Sequence, residues 1–161
     1  MKLFDNNRVL IRYLFIIAAV FIALSSLLVS HHLVENLSKE ERNKIEIWAE
    51  ATKEVASNTE NLNMSLIIQI LKSNTTIPVI LHDKKDDFYV SVNIDVPEGD
   101  GQVFLKQKAE KFQKKHTPII IEAEGFDQSV YYDDSYTLKQ LQLYPYVQLG
   151  VLFLFMIIAF F

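Results

Sequence analysis

Apolar residues follow three patterns along this chain. From about Tyr13 to Val29 they are nearly continuous (YLFIIAAVFIALSSLLV), and from Tyr146 they are continuous again (VQLGVLFLFMIIAFF). Between these blocks they recur first every three or four residues, and later every second residue. The continuous blocks predict helices of membrane-spanning length. A span needs about 20 residues, and about 17 suffice for the first block if Arg12 snorkels to the headgroups.

The intervening stretch breaks into short elements. Ser38 to Ser57 predicts a helix. Ser38-x-x-Glu41 matches a capping box, and Ile45, Trp48, Ala49, Thr52, Val55 and Ala56 form one apolar stripe. The run Ser57-Asn58-Thr59-Glu60-Asn61 interrupts it with cap and turn residues. A second helix, Leu62 to Lys72, is more apolar and is expected to be more deeply buried. After Asn74 the period becomes two. Ile77 to His82 predicts a strand that Pro78 places at an edge or a strand start. In Phe88 to Asp95, Phe88, Val90, Val92 and Ile94 face one way, and Tyr89, Ser91, Asn93 and Asp95 the other. A turn at 96–101, a surface helix from Gln102 to Lys115 and a hairpin of Ile119 to Ala123 with Gln128 to Asp133 complete the region. Asp133-Asp134-Ser135 offers cap residues, and from Tyr136 one helix runs into the second apolar block with Pro145 inside it. Two hairpins separated by a helix imply an α+β domain, a small antiparallel sheet with helices on one face. The predicted organisation is residues 1–12 as a cytoplasmic N-terminus, 13–30 and 144–161 as transmembrane helices, and 31–143 as the domain between them.

Composition narrows the function classes. The chain has 20 acidic and 16 basic residues and a net charge of −4. Its charge lies mostly between the apolar blocks, which argues against nucleic acid as a partner. The absence of cysteine excludes a disulfide scaffold and thiolate chemistry. Lys2, Arg8 and Arg12 before the first block orient the N-terminus to the cytoplasm, with the domain outside. A cleaved signal peptide is the competing reading, but the apolar run is longer than a signal core and continues past Ala23 and Ser25. The second block is still apolar at Phe161, and a carboxylate within the hydrocarbon is costly. The expectation is therefore a longer protein cut inside its second span.

Catalytic signatures are absent: no G-x-S-x-G, P-loop or H-E-x-x-H occurs. His31, His32, His82 and His116 lack metal-ligand spacing, and the acidic runs Asp83/Asp86/Asp87 and Asp95/Glu98/Asp100 read as solvated turns. No metal, cofactor or catalytic residue is predicted. Aromatic side chains around the sheet suggest a ligand pocket. Phe88 and Trp48 read as core, which leaves Tyr89 and Tyr132 as candidate ligand contacts.

The stretch SVYYDDSYTLKQLQLYPYVQLGVLFLFMIIAFF resembles the last sensor strand and second span of bacterial two-span sensor histidine kinases. IWAEATKEVAS and ILKSNTTIPVILHD extend the resemblance more loosely. It implies a PAS-like or Cache-like extracytoplasmic sensor in the bacterial inner membrane. Such a sensor would be dimeric, surrounded by membrane lipid, and responsive to a small-molecule or envelope ligand. The implied output is a cytoplasmic kinase reached through the second span. The usual fifth strand is missing from this pattern. Asp134, Ser135, Tyr136 and Pro145 are the residues expected to couple domain movement to that span. For the dimer, the stripe Leu37, Ile45, Trp48, Thr52 and Val55 offers a pairing face. Packing on the domain's own sheet is its competing use. The sensor of a chemoreceptor or nucleotide cyclase, and a two-anchor structural envelope protein, are the alternative functions.

Overall fold

The computed structural model describes residues 3–57, 63–123 and 126–160. Its elements are α1 (Leu3–Ala56), α2 (Met64–Ser73), β1 (Val79–Asp83), β2 (Phe88–Val92), α3 (Gly101–Gln113), β3 (Ile119–Ala123), β4 (Phe126–Tyr132) and α4 (Tyr136–Phe160). The class is α+β, as expected. The chain divides into two compact units, Ser38–Tyr136 and a second formed by Met1–Leu37 with Thr137–Phe161.

In the first unit the four strands form one antiparallel sheet in the order β2-β1-β4-β3. Registers define its two faces. One carries the rows Val92–Val79–Tyr132, Val90–Leu81–Val130–Ile119 and Phe88–Asp83–Gln128–Ile121. The other carries Ser91–Ile80–Tyr131 and Tyr89–His82–Ser129–Ile120. Ile45, Trp48 and Ala49 of α1 pack with Val79, Val130 and Tyr132 on the first face, and Leu71 of α2 joins them. Leu105, Ala109 and Phe112 of α3 pack with Ile80 and Tyr89 on the second.

Helices thus cover both faces, not one. The physical cause is visible in β1, where Val79, Ile80 and Leu81 are apolar in succession. A strand lying between two helical layers needs apolar side chains on both sides. The α1 stripe is used within the domain: Ile45 is fully buried and Trp48 Nε1 donates to Leu71 O at 3.2 Å.

Other boundaries moved for local reasons. No helix begins at Ser38, because α1 is already helical from Leu3. Glu41 is therefore released from the role of capping box. Strand β2 stops at Val92 because Asn93 takes a left-handed backbone (φ 58°), and its amide donates to Asn74 O and Ile77 O at 3.0 Å each. Phe88 is 51% exposed and does not serve as core, since it lies on an edge strand. Helix α2 buries Ile67 but exposes Met64, Leu66 and Ile68, so it is amphipathic and not deeply buried. Strand β1 begins one residue after Pro78, consistent with a proline at a strand start. The predicted interruption at Asn58–Asn61, the turn at Gly125, the side chains of Arg8 and Arg12, and Phe161 lie outside the described residues.

Among the described residues, two helices are long and apolar enough to cross a membrane, Tyr13–Ala56 within α1 and Tyr136–Ile158 within α4. Ser26 Oγ accepts from Gln148 Nε2 at 2.6 Å, a polar tie between the two apolar stretches.

Candidate functional site: a buried polar junction at the end of the sheet

The most concentrated chemistry in the described residues lies where β4 ends. Glu41, Asp133, Asp134 and Ser135 are all buried, at 5%, 8%, 6% and 3% exposure. Buried carboxylates are costly unless paired and hydrogen-bonded. Here they are held by groups from three elements.

Glu41 projects from α1 and takes both donors of Ser135. The Ser135 backbone N–H donates to Glu41 Oε2 at 3.0 Å, and the Ser135 hydroxyl donates to Glu41 Oε1 in a very short contact. Asp133 and Asp134 are met from the turn that follows α3. Lys115 Nζ lies 2.8 Å from Asp133 Oδ1, and His116 Nε2 lies 2.8 Å from Asp134 Oδ1. That turn is itself fixed, because the Lys115 and His116 N–H groups both donate to Phe112 O. The Asp133 carboxylate holds the Lys115 ammonium above the ordinary lysine range. The backbone is pinned as well: Asp133 N donates to Pro78 O at 3.1 Å, and Asp134 N donates to Asp133 Oδ1 at 2.9 Å.

Tyr132 links this network to α1. Its hydroxyl accepts from Arg42 Nη1 at 3.3 Å, and its ring stacks on His116 with centroids 4.4 Å apart. Arg42 also donates to Thr117 O at 3.2 Å and pairs with Glu46 one turn along α1. The three residues before α4 are thereby tied to α1, α3 and the start of β1.

The predicted residues scatter across this geometry. Asp134 and Ser135 belong to the junction. Tyr136 opens α4 and is 73% exposed. Pro145 lies inside α4 and lines a groove of about 790 Å³ with Leu27, Leu28 and His31 of α1. Tyr89 and Tyr132, expected to line a pocket, are buried on opposite faces of the sheet. Tyr89 stacks on His82 at 4.1 Å beneath α3, and burial pushes its phenol above the ordinary tyrosine range. They do not share one pocket.

Glu41, Arg42, Lys115 and His116 were not among the predicted site residues. A local signal existed for each, an acid–base pair before the stripe and a Lys-His at a helix end, but their convergence on β4 is a long-range contact. His116, Asp133 and Asp134 bring potential metal-ligand atoms within 4.8 Å of one another. Lys115 and the His116–Asp134 hydrogen bond already engage these atoms, and an ammonium inside the cluster opposes a cation. The group reads as an ion-paired network.

No family model, curated protein or solved structure matches the chain.

Proposed function

We propose that this chain is the signal-input region of a membrane sensor histidine kinase. Residues 38–136 form a PAS-like extracytoplasmic sensor, and α1 and α4 supply two spans. On this reading the N-terminus is cytoplasmic, the sensor faces the periplasm across a bacterial inner membrane, and the working unit is a dimer. A stimulus passes through α4 to a cytoplasmic kinase.

The observation that carries the reading is the double hydrogen bond between Ser135 and Glu41. Ser135 is the last residue before α4, and a buried carboxylate bonds it to α1. Coupling between distant sites needs an element that both can bias. A sheet whose last strand continues through a pinned junction into an apolar helix has that property. The resemblance at 129–161 supplies the kinase output.

The test is autophosphorylation of the full-length protein in membranes. Ser135→Ala and Glu41→Ala should change output by roughly 5- to 150-fold, the range of typical coupling energies, while the domain stays folded. Unchanged output from both variants would make the junction plain structure. A wild-type protein without autophosphorylation would remove the kinase and leave a chemoreceptor, cyclase or structural role.

A further inference from the structure

Gln128 lies on the α1-facing side of the sheet, in the cross-strand row Phe88–Asp83–Gln128–Ile121. It is 93% buried by its 7% exposure, and its neighbour Ile121 is buried more deeply still. Its Nε2 donates to Asp83 Oδ2 at 3.1 Å, but its Oε1 has no hydrogen-bond partner among the described residues. A buried carbonyl without a donor is destabilising, and an apolar residue would have filled this row without that cost. Asp83 fixes the amide orientation, since its carboxylate can only accept. The Gln128 amide first, and then the Lys85 and Asp86 N–H groups, hold the Asp83 carboxyl below the usual carboxylate range. It is charged in the folded domain. At the β2 end of the row Phe88 is half exposed and Asp83 is only partly covered.

We infer that Asp83 and Gln128 are the polar anchor of a small-ligand site entered from the β2 edge, and that its ligand is a small primary amine. The unpaired Gln128 carbonyl requires a hydrogen-bond donor, and the adjacent carboxylate favours a cationic one. Phe88 offers an apolar surface for the alkyl part. Neighbouring Lys84 does not compete for the anchor, because its ammonium pairs with Asp127 at 2.6 Å. The site also lies on the strand that ends at the junction. Gln128 and Asp133 are five residues apart on one chain, about 17 Å at strand rise. A ligand that moves Gln128 acts directly on β4. That last step rests on the sensor reading, whereas binding does not.

The experiment is calorimetric titration and thermal unfolding of the full chain in detergent micelles, using n-propylammonium chloride and, in parallel, n-propanol. The amine should bind wild-type protein and raise its Tm, and the alcohol should not. Asp83→Asn should weaken amine binding about tenfold or more by removing the charge. Gln128→Leu should abolish it while leaving Tm equal to or above that of the unliganded wild type. A wild type that binds neither probe, beside a Gln128→Leu variant of raised Tm, would overturn the site and leave a tolerated core defect. Equal binding of the alcohol would overturn the amine. Because binding is read without any output, its failure is distinguishable from failure of the kinase reading.

Discussion

Ser135 and Glu41 illustrate how a short polar side chain gains weight when it is buried. Ser135→Ala removes the hydroxyl donor but keeps the backbone N–H on Glu41, so its cost should be about 1–2 kcal/mol in urea unfolding. Glu41→Ala strips both acceptors from buried donors and should cost more, about 2–4 kcal/mol. If the two substitutions are additive, the pair does not act as a unit. Lys115 supplies a pH signature. Its folded-state pKa is raised by Asp133 above the ordinary 10.5. Its contribution is therefore fully present below pH 10.5 and fades as pH climbs through the higher folded value. The stability difference between wild type and Lys115→Met should be flat from pH 7 to 10 and shrink above that; a difference that grows with alkali would contradict the ion pair. At this scale the sequence was partly legible. Asp134 and Ser135 stood out because they sit between a strand pattern and a helix pattern. Glu41 was read as half of a capping box, since the four-residue signature is local and the helix running through it from Leu3 is not. Tyr89 and Tyr132 looked like pocket residues because nothing in a single strand tells which helix will lie over it.

Elements were read more securely than their faces. The order of elements follows from the periodicities, with two predicted helices merged into the single α1, and the described residues hold four strands. The difference lies in the layers: two hairpins around one helix suggest a sheet covered on one face, whereas three successive apolar residues in β1 mark a strand covered on both sides. The α1 stripe resolves in the same way. Ile45, Trp48 and Ala49 are buried against the sheet, whereas Ile47 is 56% exposed, so the proposed dimer would have to use the face carrying Ile47. Single cysteines at Ile45 and Trp48 should be shielded from maleimide in the folded protein, and one at Ile47 should react rapidly. Intermolecular crosslinking strongest at Ile45 and Trp48 would mean that the helix leaves the sheet to pair. Leu105→Ala in α3 should cost about 2–4 kcal/mol, because Leu105 is only 4% exposed and packs with Ile80 and Tyr89.

For the whole molecule, orientation and coupling are separable claims. Introduced cysteines at Lys53 and Lys106 should react with an impermeant maleimide on intact spheroplasts, and one at Asn6 should not. Labelling of Asn6 alone would reverse the topology and end the sensor reading. Coupling is tested most directly by lengthening the connection after Ser135. Two glycines inserted between Ser135 and Tyr136 leave the bonds of this junction to Glu41, Lys115, His116 and Pro78 in place. They cost a helix about 1 kcal/mol each, too little to unfold the domain. On the proposed reading they interrupt the path from β4 into α4. The measurement is autophosphorylation of the full-length protein in membranes, compared between wild type and the insertion with and without stimulus. The account predicts an inserted protein that folds, reaches the membrane and no longer responds. A response equal to wild type would show that the junction is only a tether and that the signal leaves the domain by another route.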